Sequence, residues 1–136
     1  MKKTAIKPFS AQLTLGLEYG YEKITINEKE VINFIQSYQD KLIENKQIYL
    51  SVSISKCKII MSGQNEPHLK LSFINYPKFP LSVTVLKQEI ENLSKQLMIK
   101  FKQNRVVIEY LDETIMFENS LTIDPRIKTT KNNLSH

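Results

Sequence analysis

Residues 82–118 constrain the fold more than any other stretch of the chain. Leu86, Ile90, Leu93, Leu97 and Phe101 recur at steps of four, three, four and four. That spacing sets them on one stripe of a helix with about 3.6 residues per turn. After Asn104 and Arg105 comes Val106-Val107-Ile108-Glu109-Tyr110-Leu111, a strand that follows with almost no loop. A helix joined so directly to a strand must lay its apolar stripe on the sheet holding that strand. Asp112-Glu113 is then a short turn into a further strand, Thr114 to Glu118.

The same helical spacing appears upstream in Val31, Ile35, Tyr38 and Leu42. Asn27, with Glu30 three residues on, reads as a capping pair, so a first helix is expected from about Glu28 to Glu44. Leu13, Leu15, Leu17 and Tyr19 alternate with Thr14, Gly16 and Glu18, which predicts a first strand from Gln12 to Tyr19. In a second strand, Ile48 to Ser55, Ile48, Leu50, Val52 and Ile54 face one way, and Tyr49, Ser51, Ser53 and Ser55 the other. It continues extended through Ile59-Ile60-Met61. Ser62 to Pro67 is rich in turn formers, and His68 to Tyr76 is a third strand with Leu69, Leu71 and Phe73 on one face. Tyr76-Pro77-Lys78-Phe79-Pro80 is a stiff connection, and Ser82 or Thr84 caps the second helix. The order β-α-β-β-α-β-β predicts an α+β two-layer sandwich of ferredoxin-like type, two helices on one face of a four- to five-stranded sheet. Residues 1–10 are expected to be a basic, flexible lead-in, 11–118 a single domain, and 119–136 a polar, partly disordered tail.

The net charge of +5 sits in the ends. Residues 1–10 carry Lys2, Lys3 and Lys7, and 119–136 carry Arg126, Lys128 and Lys131 against Asp124. Residues 11–118 are neutral, with 13 basic and 13 acidic side chains. Seventeen of the basic residues are lysine, and base-edge and phosphate readers lean on arginine forks, which argues against specific nucleic-acid binding. The apolar runs fall far short of the ~20 residues of a membrane span. The basic start lacks an apolar secretory core. Cys57, the single cysteine, has no partner for an internal disulfide. All of this predicts a reducing, cytoplasmic setting.

Chemistry is sparse. Gly16, Gly20 and Gly63 form no phosphate loop, and no cofactor motif or metal-ligand spacing is present. His68, Cys57 and Glu66 gather around one hairpin, where a solvated turn histidine and a half-buried thiol are the plainer reading. Glu109 lies between apolar strand neighbours on the face away from the helices; covered, its pKa would rise, and bare, it would sit beside Lys70 or Lys58. Tyr76, in its proline-rich loop, could line a ligand edge. The candidate binding set is therefore Glu109, Lys70, Tyr76 and His68. The face opposite the helices should present Ser51, Ser53, Ser55, Ser72, Val107 and Leu111. Small side chains with few charges there suit an interface between copies.

The order of segments resembles one family. Ile48-Tyr49-Leu50-Ser51-Val52 leads to Met61-Ser62-Gly63 and Glu66-Pro67, then Leu93 to Leu97, then Asn104-Arg105-Val106-Val107-Ile108-Glu109-Tyr110-Leu111-Asp112. About half the chain is covered. This is similar to the tautomerase superfamily, in its macrophage migration inhibitory factor branch, and implies a tautomerase-like, trimer-forming architecture. The family's catalytic proline stands at the mature N-terminus, whereas this chain opens Met1-Lys2-Lys3 and its first proline is Pro8. The family's aromatic pocket residue falls at Val107, and the polar residue two positions on at Glu109.

Together these features lead to the expectation of a small, non-catalytic α+β protein that self-associates through its sheet as a dimer or trimer, with no cofactor. The alternatives are a tautomerase-like small-molecule enzyme or ligand-binding protein with a site near Glu109, and a nucleic-acid accessory protein using the basic tails.

Overall fold

The structure is a computed structural model and describes residues 1–128. Its elements are β1 (Ser10–Gly16), α1 (Glu28–Lys46), β2 (Val52–Met61), β3 (Gln64–Ile74), α2 (Val83–Lys100), β4 (Arg105–Tyr110) and β5 (Thr114–Glu118). The five strands form one antiparallel sheet in the order β2-β3-β1-β4-β5. β1 and β2 thus run parallel with β3 between them, and β3 and β4 run parallel with β1 between them. These are two interleaved split β-α-β units, the ferredoxin-like arrangement, with β5 added at one edge. The expected α+β two-layer sandwich is what the chain forms.

Both helical stripes bury as their spacing requires. Val31, Ile35, Tyr38 and Leu42 of α1, and Leu86, Ile90, Leu93 and Leu97 of α2, lie in the core with Phe101. From the sheet they meet Ala11, Leu13 and Leu15, Leu69, Leu71 and Phe73, and Val106 and Ile108. Asn27 caps α1 by accepting from the Lys29 N–H, and Ser82 caps α2 by accepting from the Val85 N–H. Among the described residues no helix is long and apolar enough to cross a membrane.

Three boundaries differ from expectation, and each has a cause. β1 starts at Ser10, paired with Ile74, and its ladder stops at Gly16. Leu17 then donates its N–H to Pro67 O but gives its own carbonyl to Ile26 N. Proline has no N–H to compete for that carbonyl, so β1 can leave the ladder there. β2 begins at Val52, because Ile48 and Leu50 are tied to α1 instead: Ile48 N donates to Leu42 O, and Gln39 donates to Leu50 O. The expected six-residue turn is only Ser62-Gly63, with φ of 27° and 106°. Positive φ at both central residues is the mark of a tight primed hairpin. Gln64 to Pro67 therefore belong to β3, paired with Met61 to Lys58.

Candidate active site

The register decides which side chains share the sheet's open face. Leu69, Leu71 and Phe73 point to the helices, so Gln64, Glu66, His68, Lys70 and Ser72 point away. Thr14 and Gly16 of β1, Ile59 and Met61 of β2, and Arg105, Val107 and Glu109 of β4 share that open face by pairing. No helix or strand of the described residues covers it. At the end where β1 leaves the ladder, a cavity of about 410 Å³ opens, lined by Thr14, Gln64, Glu66, His68, Gln103, Arg105, Val107 and Glu109, among others.

Glu66 forms the most unusual part of this wall. A glutamate in a solvated turn would be exposed, but the tight hairpin draws it into the strand, where it is only 7% exposed. It has the company of two more buried carboxylates, Glu18 and Asp124. One guanidinium, that of Arg126, serves all three. Its Nη2 lies 2.7 Å from Asp124 and 3.7 Å from Glu66, and its Nη1 lies 3.0 Å from Glu18. The shares are unequal. Asp124 takes Arg126 Nε as well, at 3.0 Å, and the Arg126 backbone N–H at 2.9 Å. Glu66 is left with the long arginine contact and the Gln64 amide at 2.8 Å.

Three negative charges against one positive charge in a partly dry pocket cannot all be compensated, so the least paired acid gains the proton most readily. Burial raises the Glu66 pKa and nearby Glu18 adds to the rise, while His68, Gln64 and Arg126 only partly oppose it. At Asp124 burial also pushes upward, but the hydrogen bonds from Arg126 win and hold it below the usual value. Acid groups whose surroundings drive them apart are a common arrangement for proton handling.

Gly16 gives this acid its space. A Cβ there would lie 2.8 Å from Glu66 Oε1 and 2.5 Å from Gln103 Oε1. Gln103 is fixed by donating to the carbonyls of Glu18 and Phe101. Asp124 and Arg126 arrive on residues 119–128, which fold back as a strap. Asn104 receives the Ser120 N–H and donates to Thr122 O; Arg105 donates to Thr122 O and pairs with Glu118. Beyond Arg126, Lys128 N donates to Ser62 O at the hairpin tip. Of the polar tail over 119–136, residues 119–128 pack against the site through these bonds; the rest of it lies outside the described residues.

The candidate binding set divides. His68 and Glu109 line the cavity. Glu109 is exposed at its far side, and His68 Nδ1 lies 3.1 Å from the Glu66 carbonyl oxygen, to which its N–H donates. Lys70 is on the open face opposite Thr14 and Ser55, outside the cavity lining. Tyr76 lies past the opposite end of β3, beside Phe79. Of the interface set, Ser53, Ser55, Ser72 and Val107 lie on the open face, and Val107 lines the cavity. Ser51 precedes β2, and Leu111 stands 76% exposed after β4. Val107 and Glu109, the two positions drawn from the tautomerase resemblance, are in the lining, whereas Pro8 is exposed ahead of β1. Among the described residues no group of three or more His, Cys, Asp or Glu could hold a metal ion.

Sequence reasoning missed Glu18, Gln103, Asp124 and Arg126. Two signals were available: Arg126 is one of only two arginines, and Asp124-Pro125-Arg126 is a turn-initiating triplet inside a polar tail. A second hollow of similar size lies between α1 and α2, but its buried Glu89 is committed to Lys46 and the Tyr38 hydroxyl as a tie between the helices.

Neither a protein-family model nor a curated protein matches the sequence. Two solved structures share the fold. One is a phage SAM lyase in complex with S-methyl-5'-thioadenosine, with a TM-score of 0.64 and 19% identity over 90% of this chain and 98% of that one. The other is a phage SAM lyase in the apo state, with a TM-score of 0.61 and 18% identity over 85% and 92%. At such identities the likeness is one of fold. It overturns the expectation of a non-catalytic protein, because the solved chains that share this architecture along nearly their whole length are of an enzyme.

Proposed function

We propose that this chain is a lyase acting on S-adenosylmethionine, releasing S-methyl-5'-thioadenosine, with the cavity around Glu66 as its active site. One observation carries the proposal. A buried carboxyl, held only by one amide and a long arginine contact, lines a cavity of small-molecule size, on a fold that spans almost all of a SAM lyase chain. Release of the thioadenosine breaks the bond from the sulfonium sulfur to Cγ of the amino-acid arm. The electron pair stays on sulfur, which loses its positive charge. The four-carbon fragment then closes on itself, its carboxylate oxygen bonding to Cγ, or gives up a β-hydrogen as a proton and forms a C=C bond. Both routes balance without a second substrate.

The cavity suits such a reaction in two ways. Ile59, Val107 and Ile127 give it an apolar share, and a medium poorer than water favours a step in which charge disappears. Glu109 and, when ionised, Glu66 set negative charge opposite a cationic substrate. On the elimination route the ionised Glu66, made the stronger base by its raised pKa, takes the β-hydrogen as a proton, while the lactone route needs no proton from it. Incubation of the protein with S-adenosylmethionine, followed by chromatography for the thioadenosine and mass spectrometry of the four-carbon product, tests this. Release above the spontaneous rate is expected, with Glu66→Gln lowering it by about 10²–10⁴-fold, the usual worth of a positioned acid or base. Substrate left intact by the wild-type protein would overturn the proposal.

A further inference from the structure

We infer that Arg126 is a positioning residue for Glu66: carried in by the C-terminal strap, it takes up the charge of Glu18 and Asp124 so that Glu66 alone is left to exchange a proton with the substrate. The function given to Glu66 rests on the proposed lyase activity; the division of charge among the three acids does not.

The geometry carries this. Arg126 comes from the far end of the chain, more than a hundred residues from Glu18, and its two Nη atoms reach different carboxylates. Its hydrogen bonds go to Glu18 and Asp124, while Glu66 stands 3.7 Å off, beyond direct bonding. The strap is locked in register by the hairpin it crosses. A Cβ on Gly63 would lie 2.1 Å from the Arg126 carbonyl, so only glycine lets the chain pass there. The other charged and titratable groups around Glu66 are few. β3 supplies His68, the segment after β1 supplies Tyr21, β4 supplies Arg105 and Glu109 at the cavity's other side, and β2 faces Glu66 with Ile59. Arg105 is engaged with Glu118, so Arg126 is the cation bonded to the acid cluster.

The test uses the full chain with Arg126→Gln and Arg126→Lys. The Glu66 carboxyl is titrated by carbon-detected NMR without substrate, alongside circular dichroism for the fold and the pH profile of thioadenosine release. In Arg126→Gln the three acids lose their shared cation, and the Glu66 titration should move to higher pH. Arg126→Lys, which keeps the charge but not the fork, should restore part of the wild-type midpoint. A purely structural role would lower stability and leave that midpoint in place. An unmoved Glu66 midpoint in folded Arg126→Gln would overturn the inference. Should the Gln variant fail to fold, a Lys variant matching wild type in both midpoint and pH profile would overturn it equally. A protein that releases no thioadenosine refutes the proposed function, while the substrate-free titration still decides the role of Arg126.

Discussion

Glu66 works against the stability of the chain that holds it. A carboxyl whose folded pKa lies above its unfolded value binds its proton more tightly in the folded state. Its favourable contribution is present in acid and is lost as the pH rises through the folded value. Asp124 has the opposite sign: held down by Arg126, it stabilises above its unfolded pKa and loses that contribution as the pH falls. Glu66→Gln should therefore raise the unfolding free energy at pH 8 by on the order of 1 kcal/mol for a relieved functional site, read as a higher urea midpoint, with a smaller gain at pH 5. Unfolding curves of both proteins at the two pH values check the sign; a gain larger in acid would contradict it. Gly16→Ala places a methyl against Gln103 Oε1 and Glu66 Oε1, so it should impair thioadenosine release while circular dichroism stays near wild type. None of this was visible at residue level in the sequence. Glu66 stood in a run of turn formers, and only the one-register tightness of Ser62-Gly63 converts it from a solvated residue to a buried one.

Elements whose periodicity is long were legible; those set by a partner strand were not. The α2 stripe predicted the core because five residues at helical spacing leave one face to bury. Leu93 and Leu97 are both 0% exposed, so Leu93→Ala or Leu97→Ala should cost about 2–5 kcal/mol, measured as a lowered chemical-denaturation midpoint. The β2–β3 hairpin shows the reverse. Gln64-Asn65-Glu66-Pro67 has poor strand propensity, yet pairing with Met61 to Lys58 overrides it. Pro67 is tolerated because the partner carbonyl it would have met, that of Leu17, is taken by Ile26. The loop over 119–128 had no periodicity to read, since its order comes from Asn104, Arg105 and the hairpin tip rather than from its own pattern.

At the scale of the whole molecule, the charge map changes meaning once the strap is in place. The sequence put a basic excess in both ends, but Arg126 is surrounded by Glu18, Glu66 and Asp124 and is not offered to a polyanion. Among the described residues the buried hydrophobic core, by contrast, draws its members only from Ala11 to Tyr110, and its partly buried fringe from Phe9 to Phe117. The strap therefore belongs to the site and not to the core. A chain ending at Glu118 loses Asp124 and Arg126, and Arg105 loses its bonds to Ser120 O and Thr122 O while keeping Glu118. Such a truncation should retain the helical circular-dichroism signal and cooperative unfolding. It should also lose thioadenosine release by about 10²-fold or more, as expected when a positioned acid is set adrift. Calorimetry with S-methyl-5'-thioadenosine separates the outcomes: weakened binding to a folded truncated chain fits a strap that completes the cavity. Unfolding on truncation would instead show that the strap holds the sheet together, and full activity would show that the site does without it.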